Sequence, residues 1–523
     1  MGMIHQPGIF DDPKGGALRA AMARRLSLSV HAKNQLKLFA EVHHERPFAI
    51  TVSKATGSEP VSWLDIGNLF HPVTLESSLS HDGVGSAPGI KDELGRWILD
   101  GHRSRLVRID AKALELFARL FDEPNTPPLE ARLAVVHSRE ILRVLERFAD
   151  APKLGPNGDR WQTTREWNEG DRTADGTIRR ETVRPDRLED VVFQGPHFYV
   201  GTPFNKEPNE GCRHNNDYSV VELETLADEF VPRNNYQLQG TAAERAQMLP
   251  RWREATVFDD WRLVARRRLP PTAERTLAAC LVPPGLGTTG AVFNATFREL
   301  NETVLLTGLM CSLPFDFFIK ASGRTDLQPD AAASIPHPTD VPDELRRRIA
   351  VRTLRLNCLT SHYAPLWEAL WNNAFREDRP ATDDPRAGSY ANLGPTWSRD
   401  VAFRTPFARR QALVELDVLA AQALGLSFEE LRLLYEVQFP VLQQYERETF
   451  YDQRGRIVFT VNKGLPGVGL DRKQWEEIRD AQAGDVLPEW ARDGVGVYVP
   501  PFDVRDRVEE WLHVLAPWRR SGD

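Results

Sequence analysis

Residues 262–293 read RLVARRRLPPTAERTLAACLVPPGLGTTGAVF, and after a short polar break residues 305–338 read LLTGLMCSLPFDFFIKASGRTDLQPDAAASIPHP. Arg266, Arg267 and Arg268 run into a turn at Pro270 and Pro271, followed by the hydrogen-bonding side chains of Thr272, Glu274, Arg275 and Thr276. A short apolar run from Leu277 to Val282 and a second Pro-Pro break come next. This layout predicts a strand entered through a cationic, polar loop. From Val304 to Lys320 apolar residues are too dense for a solvent-facing helix, so a mostly buried one is expected.

These residues resemble the target-recognition domain of large adenine-N6 DNA methyltransferases: the type IIG restriction–modification fusions and related enzymes of phage-defence systems such as BREX and DISARM. The family pattern is an R-x-x-A-x-x-T-N-E-R-T strand entry, a P-x-G turn and a buried LLGLLNSxxFDFxxR-like helix. A short Pro-containing exit follows, here Ile335-Pro336-His337-Pro338. Ala273 stands where the family carries Asn, while Thr272, Glu274, Arg275 and Thr276 match. Similar stretches are GIKDELGRWILDGHRSRLV (89–107), the G-x-PF-x-K-like GTPFNK (201–206) and LRLNCLTSHYAPLWEALW (354–371). The likeness runs from Phe10 to Lys473.

The resemblance implies an α+β, multidomain chain. Residues 1–60 would be the remnant of a methyltransferase α/β sheet and 61–190 a mixed connector with a helix over 129–148. Residues 191–340 would be the target-recognition domain, and 341–523 a mainly helical region with a hairpin near 451–463. Its implied partner is double-stranded DNA. Arg266 and Arg275 are the candidates for guanine edges or phosphates, with Arg267, Asn205 and Lys206 as further contacts and Thr272 and Thr276 for phosphate or base. Glu274 would accept from a cytosine amino group or orient Arg275; an internal Glu274–Arg275 ion pair that shapes the loop is the alternative. Neither the Gly-rich cofactor loop nor the [DNS]-PP-[YF] motif of the family is found. S-adenosylmethionine is therefore expected on a separate catalytic half, with no catalytic, cofactor or metal residue on this chain. A scaffold subunit of a phage-defence complex is the competing reading.

Composition bounds these readings. The chain's 523 residues suffice for two to four domains, and 41% hydrophobic with 27% charged residues is ordinary for a globular protein. No run of eighteen apolar residues and no secretory signal occur, and four dispersed cysteines suit a reduced cytosol, so a cytoplasmic location is expected. The net charge of −8 does not favour nucleic acid, but local patches decide binding. Seven arginines against four acids lie between Arg251 and Arg275, and Arg346, Arg347, Arg348, Arg352 and Arg355 form a second cluster.

Along the chain, Leu18, Met22, Leu26, Leu36 and Phe39 suggest a helix over 17–39, and Phe48, Ile50 and Val52 alternate as in a strand. Residues 151–190 are polar and read as a connection. Helices are expected within 341–371 and 409–424, the second ending at Gly425, and another starts at a Ser427/Glu430 capping box. Gly455 marks a hairpin turn, and Trp475, Trp490, Trp511 and Trp518 a packed tail.

Five patterns are read as decoys. Gly285, Gly287 and Gly290 spell G-x-G-x-x-G, but Pro283 and Pro284 precede them and no helix opener follows, so a tight turn is preferred. Val499-Pro500-Pro501-Phe502 resembles the adenine-binding motif, yet Val499 has no side-chain acceptor. The His43–His44 and Cys212–His214 pairs lack further ligands at metal spacing. Asp316 and Lys320, four residues apart among phenylalanines, read as a buried or capped pair rather than a nuclease set.

Overall fold

Leu26, Leu28, Val30 and Ala32 alternate with Ser27, Ser29, His31 and Lys33, and this period-2 pattern builds the central strand of the first sheet. In the computed structural model, which describes residues 1–515 except 45, 58, 93 and 215, the first sheet has five strands. They are β1 (Gly2–His5), β2 (Leu26–Lys33), β3 (Pro47–Ser53), β4 (Ser62–Leu69) and β5 (Val107–Asp110), in spatial order β1-β3-β2-β4-β5. Only β2 and β4 run parallel; every other neighbouring pair is antiparallel. The expected helix over 17–39 is thus corrected. Helix α1 covers Gly16–Ala23, and the chain then turns into β2, leaving Leu36 and Phe39 largely exposed in a loop. A few apolar marks at helical spacing had hidden a strand that alternates between them.

The sheet continues through Asp110, so a boundary at residue 60 would sever β4 and β5 from their neighbours. Asp110 caps helix α2 (Ala111–Phe121) by accepting from the Ala113 amide at 3.0 Å, and Leu114, Phe117 and Leu120 face inward. The helix expected over 129–148 begins ten residues later. Residues 131–137 have no regular structure, and Ser138 caps helix α3 (Arg139–Asp150), which buries Ile141, Val144, Leu145 and Phe148. The polar stretch 151–190 is ordered too: it supplies strand β6 (Trp161–Thr164) and a strand at Ile178–Val183.

The second sheet is antiparallel throughout: β6, β7 (Arg262–Arg266), β8 (Ala279–Val282) and β9 (Val292–Phe297), in spatial order β8-β7-β9-β6. Strands β8 and β9 are buried on both faces, whereas the edge strand β6 is only partly buried at Gln162 and Thr163. The single buried helix expected over 304–320 is two, α4 (Leu300–Met310) and α5 (Leu313–Ala321), bent by 74°. Pro314, in the first turn of α5, cannot supply the amide that a continuous helix would need. Among the described residues no single helix is long and apolar enough to cross a membrane, and both halves of this bent pair lie in the core.

Around α4 and α5 pack α6 (Asp343–Asn357), α7 (Pro406–Ala423) and α8 (Phe428–Gln438), with α9 (Pro440–Arg447) against α8 and α10 (Arg507–Leu515) against α7. Gly308 allows the closest approach: a Cβ there would stand 2.3 Å from Thr353 Oγ1 and 2.7 Å from Ile349 Cγ2 of α6. Ser427 and Glu430 exchange the expected capping bonds, and Gly425 adopts φ +68 after α7. The hairpin pairs β10 (Thr449–Tyr451) with β11 (Ile457–Thr460) around Gly455. Of the expected tryptophan tail, Trp511 joins the main core and Trp475 a smaller one. Trp490 is largely exposed, and Trp518 lies outside the described residues.

One apolar core runs from Trp63 of the first sheet through Leu145, Leu263 and Phe318 to Leu419 and Trp511. The architecture is a multidomain α+β assembly of mixed sheets and helices.

Candidate functional site

The expected recognition loop is built against an internal brace. Arg275 Nε donates to Asp316 Oδ2 at 2.6 Å and its Nη2 donates to the Cys311 carbonyl at 2.7 Å; Asp316 also accepts from the Thr276 amide at 3.1 Å. Thr276 Oγ1 closes the loop on the Pro270 carbonyl at 3.1 Å. Arg275 and Thr276 are buried, and so is Asp316. The expected Asp316–Lys320 pair is thus corrected to Arg275–Asp316. The Glu274–Arg275 pair is not formed either: Glu274 accepts from Tyr199 Oη at 3.2 Å and Asn462 Nδ2 at 3.1 Å. Burial raises the Glu274 carboxyl above its ordinary range, outweighing these donors and Arg275.

Arg266, Arg267 and Asn205 are spent similarly. Arg266 donates to the carbonyls of Gly195 (2.8 Å) and Phe198 (2.7 Å) and lies over the Tyr199 ring; burial lowers its pKa. Arg267 bonds the Gly290 carbonyl and Asp326, each at 3.0 Å. Asn205 Nδ2 reaches the Pro196 carbonyl at 3.4 Å, and Lys206 begins a short strand paired with Tyr218–Val220. Thr272 alone among the eight is exposed. Three members of the second arginine cluster are also engaged: Arg346 pairs with Glu302, Arg348 with Glu344, and buried Arg352 with Glu415 and Asp378. The sequence places these residues together but cannot tell an arginine facing solvent from one facing a carboxylate 41 residues away in the chain.

In front of the loop lies a cleft of about 370 Å³ between the first sheet and the 270–276 turn. It opens at the carboxyl ends of the parallel strands β2 and β4, where Lys33 and Asn68 sit, the general location of ligand sites in sheets with parallel strands. Thr272, Ala273 and Lys320 form the opposite wall. Phe48, Phe70 and Trp97 supply aromatic surface, the last two with ring centroids 4.1 Å apart, and Lys91 Nζ lies 4.5 Å over Trp97.

Three lysines line this cleft, and none has a carboxylate at salt-bridge distance among the described residues; Asp11 is the only acid on the wall. Burial depresses Lys33; burial and then Lys463 depress Lys91. Lys320, which donates to the Gln438 carbonyl at 3.2 Å and lies over Phe439 at 4.2 Å, is brought by burial to about 8. Burial also raises the Asp11 carboxyl, so the wall favours an anion. Sequence reasoning missed Lys33, Lys91 and Trp97. The only available signal was that Lys91 and Trp97 lie in the Gly-rich 89–107 stretch already matched to the family.

Comparison with known proteins gives weak structural similarity to restriction–modification enzymes. No protein-family model and no curated protein sequence matches the chain. Among solved structures, the type IIL restriction-modification enzyme MmeI in complex with DNA is similar at TM-score 0.34 and 9% identity, covering 84% of this chain and 49% of that one. The type IIG restriction endonuclease BpuSI is similar at TM-score 0.26 and 11% identity, covering 81% and 47%. The chain spans about half the length of these solved chains.

The glycine triad does not fit a phosphate-bearing cofactor. A Cβ at Gly287 would stand 2.1 Å from Trp167 Nε1, and the Gly290 amide is given to the Glu169 carboxylate at 3.1 Å. Strand β9 follows instead of a helix. Val499–Phe502 packs elsewhere, with Phe502 against Trp475. Cys212 and His214 meet only through a bond from Sγ to the His214 carbonyl at 3.4 Å. Among the described residues no group of three or more His, Cys, Asp or Glu is placed to hold a metal ion.

Proposed function

We propose that this chain is the DNA-recognition portion of an adenine-N6 DNA methyltransferase of a restriction–modification or phage-defence system. It would act with a separate half that binds S-adenosylmethionine. The observation that carries the reading is the cleft beside the 270–276 loop, where Lys33, Lys91 and Lys320 stand without carboxylate partners among the described residues, beside Phe48, Phe70 and Trp97. Cations along a groove with aromatic stacking surfaces are what a nucleic acid strand or an unstacked base requires. In this reading β1–β3 form the edge of the methyltransferase sheet, and Thr272 is the loop side chain that reaches DNA. Arg275, Glu274 and Thr276 hold the loop's shape instead of contacting bases.

Fluorescence anisotropy with duplex DNA at several salt concentrations tests this. Affinity is expected to fall steeply with salt. Lys33→Gln with Lys91→Gln should weaken binding about tenfold or more and flatten the salt slope by about one per lost phosphate contact. Binding that ignores both salt and the double substitution would remove DNA from the reading. Methyl transfer is expected only after the catalytic half is added.

A scaffold role is the second reading, favoured by a specific observation: six of the eight side chains expected at DNA hydrogen-bond within the protein. Salt-insensitive binding to another defence-system subunit, with no DNA affinity, would select it.

A further inference from the structure

A second pocket, of about 580 Å³, lies at the start of α7, away from the chemistry considered so far. Its floor is Arg355, a residue only 3% exposed, whose guanidinium is held between the rings of Tyr390 (4.5 Å) and Phe403 (3.8 Å). Its Nε donates to the Val401 carbonyl at 2.9 Å and Tyr390 is a further side-chain partner, while its Nη1, closed to solvent, has no hydrogen-bond partner among the described residues. A buried guanidinium with an unmet donor is costly, and an anion would relieve it. Arg352, one turn earlier on the same helix, has Glu415 and Asp378; Arg355 has no carboxylate at salt-bridge distance among the described residues.

Gly388 stands at φ +80, and a Cβ there would sit 3.3 Å from Phe403 and 3.8 Å from Arg355 Nη2, so any side chain would crowd the entrance. Arg404 lines the same pocket and donates only to carbonyls: Leu223 at 3.0 Å, Leu359 at 2.7 Å and Arg399 at 3.2 Å. Arg454, exposed at the rim, also lacks a carboxylate partner among the described residues. Arg386 and Arg399 on the wall are neutralised by Asp384, Asp503 and Asp228. Glu224 and Asp400 are the two acids present, and burial followed by Glu222 brings the Glu224 carboxyl to about 7. The positive end of the eighteen-residue α7, capped by Thr405, also faces this space.

We propose that this pocket binds a phosphorylated ligand of nucleotide size, its phosphoryl oxygens meeting Arg355 Nη1 and Arg404, with Arg454 at the mouth. The volume lies within the range of small-ligand sites and exceeds what a bare phosphate needs. Planar guanidinium forks suit phosphoryl oxygens in paired hydrogen bonds. The phosphoryl group could belong to a free mononucleotide or to a nucleic acid strand, and the experiment separates the two. The proposal does not depend on duplex recognition by the lysine cleft, so either can fail alone.

Isothermal titration calorimetry on the full chain tests it with inorganic phosphate, adenosine 5′-monophosphate, adenosine, and a single-stranded oligonucleotide with and without a 5′-phosphate. Saturable binding of phosphate and the monophosphate, with none of adenosine, is expected. Arg454→Glu should weaken it at least tenfold with the melting temperature unchanged, and Arg355→Met at least thirtyfold. A mononucleotide matching the phosphorylated oligonucleotide identifies a free nucleotide as the ligand; binding of the oligonucleotide at least tenfold tighter than the mononucleotide identifies a strand. Absence of saturable binding by every phosphorylated probe, or equal affinities in the native chain and Arg454→Glu, would overturn the proposal.

Discussion

The ground behind the 267–276 loop and the cleft in front of it hold the same kinds of charge in opposite states. Behind, cations and carboxylates alternate. Arg275 meets Asp316; Asp417 takes the Leu313 amide at 2.7 Å and Arg507; Arg507 and Arg410 share Glu446. In front, Lys33, Lys91 and Lys320 have no such partners among the described residues. A buried pair braces the fold because losing either member strands the other, whereas a buried unpaired cation weakens the fold and is free to meet an anion. Arginine identity alone does not distinguish the two; the partner does.

The largest effect expected is from Arg275→Ala, which leaves Asp316 buried without its counter-ion. A loss of about 3–5 kcal/mol in urea denaturation is the outcome. A loss under about 1 kcal/mol would mean that Arg275 is not a brace and would return it to the DNA surface.

Gly308→Ala probes the same ground by shape. The added Cβ meets α6 at 2.3 Å, so a loss of about 1–3 kcal/mol is expected from forced separation of α4 and α6. An unchanged melting temperature would show that these helices yield easily.

Lys320 tests the front. Its ammonium, at about 8 in the folded chain against 10.5 ordinarily, loses its proton earlier when folded. Burial is the main cause; Arg275 and Lys33 add to the lowering, and Asp316 and Glu274 oppose it. Below pH 8 both states hold the proton and the folded state carries the full cost. Between about pH 8 and 10.5 the unfolded state binds more protons, so this group makes stability rise with pH. Lys320→Met should therefore stabilise by about 1–3 kcal/mol at pH 7, with the gain fading by pH 10.5. Destabilisation at pH 7 would show Lys320 to be paired and erase the contrast.

Thr272→Ala should change stability by less than about 0.5 kcal/mol, because the residue is exposed. Under the DNA reading it should lower duplex affinity a few-fold. A stability loss beyond 1 kcal/mol would place Thr272 with the brace.

Much of the secondary structure was legible. Ser427 with Glu430, Gly425 and Gly455 act through neighbours three or four residues away, and each does in the structure what local chemistry requires. Misreadings arose where two periods overlapped, as at 17–39, or where a proline interrupted an apolar run, as at Pro314 within 304–320. The candidate site was less legible. The sequence marks a polar entry loop at 270–276, but Lys33 and Lys91, which share the cleft with it, come from 180 or more positions away, and no local pattern joins them to it.

By itself the sequence determined the caps, the alternation of the strands, the dense apolar character of α4 and α5 and the absence of eighteen consecutive apolar residues, since these depend on neighbours along the chain. Tertiary structure alone decided which cations are neutralised and which stay available. A charge's free energy depends on burial and on the nearest opposite charge, and both are set by chain segments that meet only after folding.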